Sequence, residues 1–199
     1  MKKIVILGCL ILFLIGGCAP TPVVIQKPSH LPSRYMIDAV PQLHQGRNEC
    51  APTSMAMVLN YWGIKKKKDE LKDDLMWHPE KGVPYQNMLN FPFKKYGFKV
   101  DFVRKGSIEK LMEHIAQERP VIVRQWMNYD SKSRGEMGHW RVVIGYDHEK
   151  ETIYMRDPAI KMKGFSSLSY KQFLELWDLS MHPNPSKNFM LTLIPDKKK

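Results

Sequence analysis

The chain has 199 residues and 3 cysteines, with 31 Lys and Arg against 20 Asp and Glu, for a formal charge of +11. That length holds one ordinary folded domain and leaves some residues over. The charge alone would suit nucleic acid, but the N-terminus reads as an export signal, which separates the protein from that partner.

In chain order, Lys2 and Lys3 precede an apolar run over residues 4–15, followed by Gly16-Gly17-Cys18. The run is roughly a dozen residues, short of the about 20 that cross a bilayer, so residues 1–17 read as a signal peptide. Ile15-Gly16-Gly17-Cys18 resembles the lipobox of bacterial lipoproteins. The resemblance implies acylation of Cys18 and an anchor in a membrane of the bacterial cell envelope, facing the periplasm or the exterior. Cys9 leaves with the signal and Cys18 carries lipid, so Cys50 stays alone. An odd cysteine in an exported protein suggests a reactive thiol or an intermolecular bridge.

Residues 18–34 are rich in Pro and Ser and read as an extended tether. The folded domain is expected over residues 35–196, with a basic tail at 197–199. Lysines 65–68 read as solvated surface, or as a patch drawn to anionic lipid or cell-wall polymer.

Within the domain, Cys50 opens an apolar helix that Pro52 suits at its first turn and Gly63 stops. Almost every face of that helix is apolar, so it is expected to be buried. Helix-permissive residues follow at 65–76, and a weak helical stripe at 85–96 is interrupted by Pro92. Residues 99–103 alternate as a strand. Ser107 caps a helix carrying Ile108, Leu111, Met112 and Ile115 on one stripe. Strands are expected at 121–123, 139–146, 152–156 and 189–194, a loop at 127–138, and a helix at 170–179. Helices first and antiparallel-type strands after argue an α+β class.

Cysteine chemistry needs a base near the thiol, a group to orient that base, and donors for an oxyanion. A thiol at a helix N-terminus is favoured as thiolate, and on the helix alone a buried inert cysteine is an equal reading. Of the 7 histidines, His139 stands at a strand mouth, where the backbone is held and the ring can face a cleft. His44, near Cys50, is the rival. Asp157 closes the next strand and so comes beside the start of the His139 strand; Asp147 lies at the opposite end of that hairpin. Gln45 can donate an amide N–H to an oxyanion, with Gln42 as its rival.

The segment from Val40-Pro41-Gln42 through Gln45 to Cys50-Ala51-Pro52 and Trp62-Gly63 resembles the nucleophile segment of papain-fold peptidases that include bacteriocin-processing, double-glycine leader peptidases. Gly138-His139-Trp140-Arg141 resembles that family's histidine strand, and Arg156-Asp157-Pro158 its Asp-Pro segment. The resemblance implies a papain-like α+β fold with Cys50 as nucleophile, His139 as base, Asp157 as orienter and Gln45 as oxyanion donor. It implies a peptide or protein substrate, no cofactor and no metal, and a peptide-export system as a candidate partner. Two departures are visible: Ala51 stands where the family usually has Gly, and Gln45 lies one residue nearer the cysteine than usual. The rival functions are an acyl transferase or cell-wall peptide amidase on the same site, and a peptide-binding module that keeps the fold without the activity.

Overall fold

The computed structural model describes residues 25–134, 138–161, 164–183 and 185–196. The expected signal peptide, Cys18, the first part of the expected tether and the basic tail lie outside the described residues. Among the described residues no helix is long and apolar enough to cross a membrane.

A seven-stranded sheet organises the chain. Its main path runs β2 (Phe98–Val103), β9 (Met190–Pro195), β3 (Val121–Trp126), β4 (Gly138–Asp147), β5 (Thr152–Arg156) and β6 (Ser166–Ser169). Every pairing in it is antiparallel. All of β3 and nearly all of β4 are buried, as their continuous apolar runs require of strands covered on both faces. β1 (Arg34–Met36) takes over the edge of β4 where β3 stops: β3 pairs with β4 up to Val143, and β1 pairs from Gly145 to Asp147. That approach needs Gly145, since a Cβ there would lie 2.6 Å from the Met36 sulfur and 2.8 Å from the Tyr35 carbonyl oxygen.

α1 (Cys50–Tyr61) packs on β4 and is buried from Ala51 to Leu59, the all-round apolar helix the sequence describes. Gly63, at φ +85°, turns the chain out of it. α3 (Ile108–Ala116) is capped by Ser107, whose Oγ accepts from the Lys110 N–H at 3.2 Å. α5 (Tyr170–Trp177) starts with a capping box from Ser169 and Gln172.

Several expectations change. Residues 65–76 form no long helix but a 3-10 turn at Lys68–Leu71, because Lys68 and Lys72 turn inward to pair with Glu49. The 85–96 stripe divides into α2 (Tyr85–Leu89) and a second 3-10 turn, parted at Pro92. The 127–138 loop contains the short helix α4 (Tyr129–Arg134). Helices are interleaved with the strands rather than preceding them. A small hairpin of β7 (Asp178–Leu179) and β8 (Ser186–Lys187) follows α5. The class stays α+β, with its sheet antiparallel. The tether's last residues are tied down: the Tyr146 hydroxyl donates to the Pro32 carbonyl at 2.9 Å, and the His148 N–H to that of Ser33 at 2.8 Å.

Candidate active site

Three elements converge at one end of β4. The first turn of α1 presents Cys50, the first residues of β4 present His139, and the turn after β5 presents Asp157. The β4–β5 register sets Val142 opposite Arg156, which brings Asp157 level with the residues that follow His139. His139 Nε2 donates to Asp157 Oδ1 at 2.7 Å, and the ring is only 1% exposed. With Nε2 committed, Nδ1 is left for the Cys50 thiol, to which His139 is hydrogen-bonded.

The electrostatics of the three are mutually supporting. Burial of Cys50 opposes its charge, but the His139 hydrogen bond and charge, and the backbone N–H groups of Trp140 and Ala51, lower its pKa overall. For His139, burial and the Arg141 guanidinium oppose protonation, yet Asp157 and Cys50 prevail and raise its pKa. Burial likewise works against the Asp157 carboxylate. The hydrogen bond and charge of His139, with the Arg141 guanidinium, hold it well below the usual carboxylate range. A Cys–His pair in such a setting is poised as thiolate and imidazolium.

A cleft of about 170 Å³ opens over the thiol, lined by Gln45, Cys50, Val83, Arg124, His139 and Trp140 among others. Gln45 is bound to the Asp157 turn through its backbone, whose N–H donates to the Pro158 carbonyl at 2.9 Å. Its side-chain Oε1 is buried with no hydrogen-bond partner among the described residues, so that atom is not spent on structure. Gln42 is spent in this way: its Nε2 donates to the Asp157 carbonyl at 2.8 Å and the Leu43 carbonyl at 3.2 Å. His44 lines a separate hollow with Lys65 and Asp69, away from Cys50. Asp147 is at the far end of β4, where its Oδ1 accepts the Lys150 N–H.

Other residues of the site escape a reading from sequence. Arg141 stands two residues after His139, on the same strand face, and joins Asp157; the period of two was the available signal. Glu49, beside Cys50, accepts from the Gly46 N–H at 2.7 Å and pairs with Lys68 and with Lys72, the latter at 2.5 Å. These bonds hold its pKa at about 2 against the effect of burial, and they correct the view of the lysine run as plain solvated surface. His182 reaches the cleft wall, where its Nε2 accepts the Gly138 N–H at 3.1 Å. His114, outside the cleft, is buried, 3.2 Å from Asp101. No group of three or more His, Cys, Asp and Glu among the described residues is placed to hold a metal.

The sequence model of the Peptidase_C39 like family matches residues 36–181. No curated protein sequence matches the chain. Among solved structures, a C39-like peptidase from Bacillus anthracis is 20% identical with a TM-score of 0.64, covering 83% of this chain and 99% of its own. The peptidase domain of Streptococcus ComA, a bifunctional ABC transporter of a quorum-sensing pathway, is 18% identical with a TM-score of 0.56, over 77% of this chain and 96% of its own. A double-glycine motif protease from an AMS/PCAT transporter, solved with its leader peptide, is 20% identical with a TM-score of 0.52, over 78% and 91%. At these identities the structures establish a shared papain-like fold.

Proposed function

The chain belongs to the Peptidase_C39 like family and is a cysteine peptidase, and we propose that it cleaves a peptide amide bond through Cys50, His139 and Asp157 while anchored to a bacterial membrane by lipid on Cys18. The Cys50 thiolate attacks the scissile carbonyl carbon and forms the C–S bond. Negative charge then develops on the carbonyl oxygen, toward which the Cys50 backbone N–H and the Gln45 amide donate. Collapse of this intermediate breaks the C–N bond as the His139 imidazolium gives its proton to the leaving amine. Water, deprotonated by His139, hydrolyses the thioester and restores the thiol. Asp157 holds the ring in one tautomer throughout.

The observation that carries this reading is the unbroken chain of hydrogen bonds from a thiol at a helix start, through His139, to Asp157 at 2.7 Å. The substrate class is a peptide or protein in the cell envelope. One structural neighbour comes from a transporter and was solved with its leader peptide, and another is the peptidase domain of an ABC transporter; both support a peptide-export system as its supplier.

The test is the pH profile of Cys50 alkylation by iodoacetamide, wild type against His139→Ala. Alkylation should stay fast well below the ~8.5 of an ordinary thiol, and the midpoint should return most of the way in the variant, because the helix end alone contributes under about 1 kcal/mol. An ordinary wild-type midpoint overturns the triad. Product analysis with amine acceptors separates hydrolysis from acyl transfer. For the anchor, Cys18→Ala should move the protein out of the membrane fraction; unchanged partitioning and mass would refute lipidation.

A further inference from the structure

Arg141 is a buried cation, 6% exposed, that the cysteine mechanism does not itself require. Its guanidinium makes four hydrogen bonds. Nε donates to Asp157 Oδ2 at 2.7 Å, Nη1 to Gln125 Oε1 at 3.2 Å and the Trp126 carbonyl at 3.1 Å, and Nη2 to the Met127 carbonyl at 2.7 Å. The two Asp157 oxygens are thereby divided. Oδ1 receives His139 and the Ala159 N–H at 2.9 Å, and Oδ2 receives Arg141. Met127 lines the cleft over Cys50, so one planar group joins the orienting acid to the wall beside which substrate must lie.

We propose that Arg141 is a positioning residue of this site, whose fork fixes the plane of the Asp157 carboxylate against His139 and ties it to the cleft wall at the end of β3. This rests on the triad reading given above. A planar five-donor group suits the task, whereas an ammonium on a flexible stem cannot hold a carboxylate edge and two carbonyls in one plane. The same charge has a second effect. Standing near the His139 ring, it opposes the imidazolium that Asp157 favours, so the ion pair of thiolate and imidazolium is held in balance rather than locked.

Around His139 the charged and titratable groups are Cys50 from α1, Asp157 from the turn after β5, Arg141 on its own strand, and Arg124, Lys81 and His182 from the other walls of the cleft. Only Arg141 among the cations bonds the acid directly in the described residues, so its removal separates two effects. Loss of its charge favours imidazolium. Loss of its fork loosens Asp157 and disfavours imidazolium.

Iodoacetate reads both, since its carboxylate is drawn to an imidazolium and its rate with Cys50 is bell-shaped in pH. The measurement uses the full chain, with modification of Cys50 mapped by peptide mass. In Arg141→Met the charge and the fork go together and their effects oppose, so the alkaline limb lies at higher pH than in Arg141→Lys, which loses the fork alone. In Arg141→Lys the charge stays and the fork is lost, so the limb moves to lower pH. A structural role alone would reduce the fraction of folded protein and leave the limb where it is. Arg141→Lys decides the fork: a lowered limb supports it, and a folded variant with the wild-type limb overturns the proposal. An Arg141→Met limb at or below that of Arg141→Lys refutes the effect of the charge. His139→Ala must abolish the alkaline limb in the same assay; if it does not, the Cys50–His139 pairing fails, whatever Arg141 does.

Discussion

The site has two sides, and each sets a carboxylate beside a group that we propose to react. On the base side, Asp157 meets His139 and Arg141 in the interior, between β4 and the turn after β5. On the nucleophile side, Glu49 precedes Cys50 and is held by Lys68 and Lys72, each about a quarter exposed. The interior pair is planar and out of reach of salt, so it fixes angles. The outer cluster is built from flexible ammonium groups at the water boundary, so it fixes where a loop sits and does so more weakly. Glu49 also fills the space over Gly46 and accepts its N–H, which closes the turn that carries Gln45 toward the cleft. Trp77 braces the same turn, its Nε1 donating to the Asn48 carbonyl at 2.7 Å.

The comparison breaks most readily at Asp157. Asp157→Asn should lower turnover by on the order of 10³- to 10⁴-fold while the fold persists, since an amide can stabilise the wrong tautomer of His139. Asp147→Asn, at the other end of β4, should leave turnover near wild type. Steady-state cleavage of a peptide substrate, normalised to titrated Cys50, compares the two. Equal losses would show that the His139–Asp157 contact carries no special role.

Glu49→Gln should have a smaller effect, about tenfold on turnover through a displaced loop and about 1–2 kcal/mol on stability. Its pH signature sharpens the contrast. The folded-state pKa of Glu49 is depressed from its ordinary 4.5 to about 2, so its contribution is present above 4.5 and is lost as pH falls towards 2. The stability gap between wild type and Glu49→Gln, from denaturant melts, should therefore close across that window. A gap that stays constant down to pH 2 would mean the carboxylate charge is not what holds the turn.

Lys72→Met should matter least, at about 1 kcal/mol or less, because Lys68 remains on Glu49 and the pair is partly solvated. Raising salt to 1 M should shrink the effect of Lys72→Met and leave that of Asp157→Asn intact. Melts and turnover at two salt concentrations decide it; equal salt sensitivity on both sides would erase the distinction.

These two sides also differ in how far they can be read from sequence. His139 at a strand mouth and Asp157 after the next strand are related by a hairpin, whose register is local, so their meeting follows from pattern. Cys50 at the start of an apolar helix follows from Pro52, Gly63 and the residues between. Glu49 with Lys68 and Lys72 is a tertiary contact across some twenty residues, and the lysines at 65–68 and 72 carry no sign in isolation that two of them turn inward. β1 and β6 lack a sustained alternation: Arg-Tyr-Met is short, and Ser-Ser-Leu-Ser is a polar edge. They become strands because β4 and β5 offer unpaired edges. The helix at Tyr129–Arg134 has no apolar stripe in its sequence, Tyr-Asp-Ser-Lys-Ser-Arg, so periodicity could not find it.

The pairing of β1 with the far end of β4 has a consequence for how the molecule meets a surface. The chain comes into the domain through Pro32 and Ser33, beside Tyr146 and His148, while His139 lies at the opposite end of the same strand. A strand rises about 3.3 Å per residue, which puts the two ends roughly 25 Å apart. With a lipid on Cys18, as proposed, β4 would act as a spacer, its tethered foot toward the bilayer and its mouth toward water. Energy transfer from a dye on Cys50 to a membrane acceptor would read that stand-off directly, and a dye at contact distance would refute it. An enzyme held this way meets substrates that arrive from the aqueous side, and it leaves segments still embedded in lipid untouched.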